Sequence, residues 1–252
     1  MAVIGKSILN STLMSKAQTR QWMKPISFAS NLNQGVGAPW EIFRTQIGGR
    51  TVDLYTKNGG FGSYGTLLIL VPDYDIGLTF LSASPLNSDI ISGLMYLIAE
   101  MLTEAILPVL EDVTKDQAKV MFAGQYAASD LNSSLTVTID DQPGLRVSSW
   151  VTNGTDVFDD VGLSSDGGYI DFRLQPNQLY TEGKVGFTGV RQRMPQPIYT
   201  GPLDLNCFTW GATGITYGNI DIENFVFNID PKTAKATSVQ PMALRINLER
   251  NQ

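Results

Sequence analysis

Lys57-Asn58-Gly59-Gly60-Phe61-Gly62-Ser63-Tyr64 runs directly into the apolar stretch Gly65-Thr66-Leu67-Leu68-Ile69-Leu70-Val71. After a Pro72-Asp73-Tyr74-Asp75 turn the chain comes back as Ile76-Gly77-Leu78-Thr79-Phe80-Leu81. The glycines make a corner and the Pro-Asp pair a turn, so with Thr51-Val52-Asp53-Leu54-Tyr55-Thr56 upstream the pattern predicts three antiparallel strands in a meander over residues 51–83. The second and third strands are almost continuously apolar, which predicts burial on both faces.

Working outward from this meander, Pro39-Trp40-Glu41-Ile42 reads as a further short strand and Gly48-Gly49-Arg50 as the turn that follows it. Residues 27–37 are rich in Ser, Asn and Gly and read as a loop, and residues 11–25 as a short helix stopped by Pro25. Downstream, Ile91, Leu94, Met95, Ile98, Met101, Leu102, Ala105 and Ile106 recur at spacings of three and four, which predicts an amphipathic helix from Ser88 to Leu110 packed on a sheet face. Pro108 and the charged run Glu111 to Lys119 are expected to end it and to mark a domain boundary. From Val120 onward short alternating segments are separated by Gly, Asn, Asp and Pro. Strands are expected at 134–139, 145–150, 169–174, 186–190, 214–217, 225–229 and 242–248, forming a small barrel or sandwich. The fold class expected is therefore α+β, with domains at 1–115 and 116–252.

Composition narrows the chemistry. The 252 residues contain no histidine and one cysteine, Cys207, which excludes an imidazole base, an intrachain disulfide and cysteine-based zinc. No cofactor or metal is expected. A net charge of −6 with no basic cluster argues against a nucleic-acid partner. The N-terminus has no signal-peptide pattern, and Glu100 and Glu104 interrupt the most apolar stretch, so no membrane span is expected. Localisation is left open. Sequons at Asn10, Asn132 and Asn153 are possible glycosylation sites, relevant only in a secretory pathway.

The Lys57-Asn58-Gly59-Gly60-Phe61 run, followed by a strand, a Pro-Asp turn and a second apolar strand, resembles the third conserved element of the penicillin-binding-protein and class C β-lactamase superfamily. Val36-Gly37-Ala38-Pro39-Trp40-Glu41-Ile42, Asp53-Leu54-Tyr55-Thr56-Lys57, Ala123-Gly124-Gln125-Tyr126 and Pro143-Gly144-Leu145-Arg146-Val147 resemble its fungal branch, with an appended β-domain. The resemblance implies acyl-enzyme chemistry on a small acyl substrate (an ester, amide or lactam). A Ser-x-x-Lys serine would be the nucleophile and a Tyr-x-Asn tyrosine would help manage its proton. Lys57 and Asn58 would line the pocket, and the N–H of Gly60 or Phe61 would contribute to the oxyanion hole beside Gly59. Asn58 stands where the family has a hydroxyl.

No lysine in the chain has a serine three residues before it. Thr181-Glu182-Gly183-Lys184 and Tyr217-Gly218-Asn219 match the spacings only as strings, after Lys57 and in the β-domain. No catalytic residue is therefore assigned. The resemblance implies the C-terminal part of a hydrolase, truncated or inactive alone, or else a non-catalytic relative that binds. Lys57 reads equally as a solvated lysine, and the glycines as a plain hairpin. Trp22, Trp40, Trp150 and Trp210 read as core, and Asp140-Asp141 and Asp159-Asp160 as turn or loop residues. In the resembled fold the central sheet has five strands, so strand 76–82 is expected to be a bare edge that pairs with an N-terminal partner chain or with its own copy.

Overall fold

The computed structural model of the chain describes residues 1–160, 164–165, 168–194 and 215–251. Cys207 and Trp210 lie outside the described residues, as does Gly214 of the strand expected at 214–217. The chain divides into two compact units, Met1–Asp112 and Val113–Gln252. The architecture is α+β throughout.

The first unit is built on a six-stranded sheet in sequential order: β1 Ser27–Phe28, β2 Gln34–Val36, β3 Glu41–Ile47, β4 Arg50–Phe61, β5 Tyr64–Val71 and β6 Ile76–Ala83. The expected meander is its larger half. The region read as a loop contributes β1 and β2, strands too short for alternation to reveal. One face carries helices α1 (Ala2–Leu9) and α2 (Lys16–Met23) over Trp40, Ile42, Leu68 and Leu70. Ser15 caps α2 in a capping box with Gln18, and the helix stops just short of Pro25. The other face carries helix α3 (Ser88–Phe122), whose Ile91, Met95, Ala99 and Leu107 bury against Val52, Leu54, Leu67, Ile69 and Val71. Strand β5 is buried on both faces, as its apolar run predicts. Strand β6 is only partly buried, because it lies at the end of the sheet.

Helix α3 does not stop at Leu110. It continues to Phe122 with Pro108 inside it. A proline costs the helix one hydrogen bond, but two anchors hold the segment beyond it. Glu111 is buried, taking the Tyr74 hydroxyl at 2.7 Å and Arg50 Nε at 3.2 Å. Phe122 lies in the core of the second unit. Burial and this acceptor push the Tyr74 phenol up to about 12. By length and composition α3 suffices to cross a bilayer, although its Ile91 to Leu107 row is buried on the sheet.

The second unit is a barrel of strands β7 Gly124–Ala128, β8 Ser133–Thr138, β9 Leu145–Thr152, β10 Gly168–Thr181, β11 Lys184–Met194, β12 Asn224–Ile229, β13 Ala236–Pro241 and β14 Leu248–Arg250. Their order is β9-β8-β7-β14-β13-β12-β11-β10, and Arg173↔Arg146 with Leu174↔Leu145 closes β10 back onto β9. Residues 242–248, expected as a strand, instead form a 3₁₀ turn at Met242–Leu244 that leads into β14. The interior is aromatic: Trp150, Tyr126, Phe172, Phe225 and Phe227 are almost wholly buried, Trp150, Phe172 and Phe225 in mutual ring contact and Tyr126 against Phe227. The Tyr126 hydroxyl donates to the Phe122 carbonyl at 2.7 Å. Arg250 donates to the carbonyls of Val120, Met121 and Ala123, neutralising the acceptors left at the end of α3.

Candidate active-site edge

Lys57 to Phe61 are not in a loop. They form the last five residues of β4, and the corner is Gly62-Ser63, where Gly62 takes the left-handed φ of 59° that the two-residue turn requires. Strand β3 ends at Glu41, opposite Thr56. Beyond that pair β4 continues as Lys57↔Leu68, Asn58↔Leu67, Gly59↔Thr66, Gly60↔Gly65 and Phe61↔Tyr64 with β5 alone. Among the described residues no strand pairs with its other side. In an antiparallel ladder every second residue points its N–H and C=O away from a given neighbour, so this stretch offers backbone donors and acceptors to an outside group. Gly59 and Gly60 are exposed, as is Phe61. A Cβ at Gly59 would fall 2.9 Å from Thr66 Oγ1, so a side chain there would require the Thr66 hydroxyl to move.

The ammonium of Lys57 is held. Its Nζ lies 2.6 Å from Glu41 Oε1 and 3.4 Å from Asn58 Oδ1. The second carboxylate oxygen of Glu41 accepts from the Tyr96 hydroxyl at 2.9 Å, and the Glu41 carbonyl accepts from Thr56 Oγ1 at 2.8 Å. Burial and the Glu41 carboxylate raise the Tyr96 phenol above its ordinary value, so it stays neutral and donates. Sequence reading placed Glu41 in a strand and gave Tyr96 no role. The only signal for either was a polar group on an otherwise core-facing position. Beside Tyr96, between the sheet and α3, runs a groove of about 500 Å³ lined by Phe43, Leu54, Thr56, Ala99 and Leu107.

Other candidates resolve as structure. Trp40 and Trp150 are core, and Trp22 packs against Trp40. Asp140 pairs bidentately with the buried Arg173, which also holds the buried Asp171. Thr181-Glu182-Gly183-Lys184 is the β10–β11 hairpin, and Tyr217-Gly218-Asn219 lies at the turn of a two-stranded ribbon. Asp159 and Asp160 sit in a single helical turn. Asn10, Asn132 and Asn153 are exposed. No cluster of metal-ligating side chains occurs among the described residues.

Comparison with known proteins adds the family. Residues 114–252 match the model described as "Beta-lactamase-like-like, C-terminal domain". A "Beta-lactamase-like protein" from Arthroderma benhamiae is 26% identical over 96% of this chain and 46% of its own length. A "Probable hydrolase clz13" from Cochliobolus lunatus is 25% identical over 93% of this chain and 40% of its own. The chain thus spans less than half of these curated relatives. A penicillin-binding protein homologue from Pyrococcus abyssi aligns over 96% of this chain and 44% of its own at 15% identity, with a TM-score of 0.30. With the family model covering more than half of its residues, the chain belongs to the β-lactamase-like family, and its barrel is that family's C-terminal domain.

Proposed function

We propose that this chain supplies the acyl-binding edge of a β-lactamase-like hydrolase without a nucleophile of its own. The open side of β4 at Lys57 to Phe61 carries this reading. An acyl group lying along it meets backbone N–H donors at Gly60 or Phe61, of the kind that stabilise a developing oxyanion. The Lys57 ammonium, fixed by Glu41, is a positive group one strand position from Asn58. The curated relatives named as hydrolases support the reaction class. What the chain lacks is a Ser-x-x-Lys pair, so acylation by itself is not expected.

Two measurements test this. The purified chain is treated with a fluorescent penicillin and a fluorophosphonate, and no stoichiometric covalent label is expected. Stoichiometric labelling overturns the claim that the chain has no nucleophile. Titration with a cephalosporin or a short-chain ester, followed by amide NMR, is expected to shift Gly59, Gly60 and Phe61, with the shift weakened in Lys57→Ala. Unmoved amides at millimolar ligand overturn the claim of an acyl-binding edge.

A further inference from the structure

We propose that Glu41 makes the β4 edge selective for neutral acyl groups, esters or amides with no carboxylate beside the carbonyl, by cancelling the charge of Lys57. This selectivity rests on the acyl-binding edge proposed above and specifies what that edge takes. Lys57 is the only charged residue in Lys57 to Phe61 and in the facing stretch Tyr64 to Leu68. An anionic ligand lying along the edge therefore depends on this one ammonium. Its charge is already met, because Nζ lies 2.6 Å from Glu41 Oε1.

The two side chains start from opposite faces of the sheet. Thr56 pairs with Ile69, in the core under α3, and Lys57 pairs with Leu68, in the core under α1 and α2. Opposite residues of an antiparallel pair share a face, so Glu41, opposite Thr56, is on the α3 side. The Lys57 side chain begins on the other side and reaches Glu41 around the edge of β4, where β3 has stopped. Glu41 is not free to swing away: its Oε2 accepts from the Tyr96 hydroxyl at 2.9 Å, and its carbonyl accepts from Thr56 Oγ1 at 2.8 Å. Three elements, β3, β4 and α3, thus set one ion pair.

Coulomb's law decides what this pair does to a ligand. At similar distances from the ammonium and the carboxylate, a ligand anion is attracted by one and repelled by the other almost equally, so little remains to offset its removal from water. A neutral carbonyl loses far less on leaving water. An ammonium has three N–H donors; one is taken by Glu41 and a second lies toward Asn58 Oδ1 at 3.4 Å, which leaves one for an acyl oxygen. Lys57 then acts as a hydrogen-bond donor beside the N–H groups of Gly60 and Phe61, and not as a net charge. Removing Glu41's charge would restore that net charge and with it an attraction for anions.

The test is an amide NMR titration of the whole chain with N-benzoylglycine and its methyl ester, which share an acyl group and differ in one charge. Read at Gly59, Gly60 and Phe61, the parent is expected to bind the ester about tenfold or more tightly than the acid. This preference is measured without any variant. Glu41→Gln keeps the length of the side chain and an acceptor for Tyr96. It is expected to bind the acid about tenfold more tightly than the parent does, with the ester changed by less than about twofold. Adding Lys57→Met to Glu41→Gln should abolish that gain. A parent that moves these amides but binds the acid as well as the ester overturns the selectivity and leaves the acyl-binding edge standing. A Glu41→Gln variant with the parent's preference overturns the role of Glu41. Amides unmoved by either ligand overturn the edge itself, and this inference with it.

Discussion

Gly189 on β11 is where the barrel tolerates no side chain at all. It sits opposite Leu174 and its Cα faces the ring of Phe172. A Cβ placed there falls on that ring, with Cε2 at 2.9 Å and Cε1 at 3.1 Å, against an ordinary carbon contact of about 3.5–4.0 Å. Phe172 is 1% exposed and packed among Trp150, Phe158 and Phe225 at centroid distances of 5.9, 5.8 and 6.0 Å, so it has nowhere to retreat. The backbone of Gly189 is not left-handed, so Gly189→Ala isolates the steric effect. Overpacking of this kind costs about 1–3 kcal/mol, or roughly 4–12 °C of melting temperature for a unit of this size. The assay is thermal unfolding followed by near-ultraviolet circular dichroism, to which Trp150 contributes. A double-mutant cycle with Phe172→Leu makes it specific: the double variant is expected to recover part of the loss, giving a coupling of about 1 kcal/mol. A Gly189→Ala variant that melts with the parent, or a cycle with no coupling, refutes the packing argument.

Other consequences are as direct. Glu111→Gln leaves Arg50 and Tyr74 without their shared carboxylate and is expected to cost about 2–3 kcal/mol in urea unfolding of the first unit. Arg250→Gln uncaps the end of α3 and is expected to cost about 1–2 kcal/mol, visible as faster amide exchange over residues 120–124. The hydrogen bond from Arg173 holds the Asp140 carboxyl below its ordinary value. Its stabilisation is therefore present above the unfolded carboxylate range and lost as pH falls through the folded pKa, below about pH 4. Arg173→Gln is expected to lower the unfolding free energy from urea titration at pH 7 by about 3 kcal/mol, since among the described residues the buried Asp171 then keeps Arg146 alone as a cationic partner, and the gap to the parent should narrow near pH 3. A gap independent of pH removes Asp140 from the account.

The sequence by itself determined whatever depends on local pattern. Alternation and turn chemistry placed the meander of 51–83 and most barrel strands, the three-and-four spacing placed the core-facing row of α3, and the absence of histidine and of Ser-x-x-Lys set the limits of the chemistry. The tertiary structure decided what depends on distant partners. Pro108 reads as a stop because a proline costs any helix a hydrogen bond, yet the helix continues because Glu111 and Phe122 find buried partners remote in sequence. Apolar β6 reads as doubly buried, but burial depends on neighbours, and the last strand of a sheet lacks one on one side. Barrel and sandwich have the same strand pattern, and only the pairing of Arg173 and Leu174 with Arg146 and Leu145 closes the ring. The open edge at Lys57 to Phe61 arises because β3 stops at Glu41 while β4 runs on, a difference in length between two paired strands that neither strand's own residues encode.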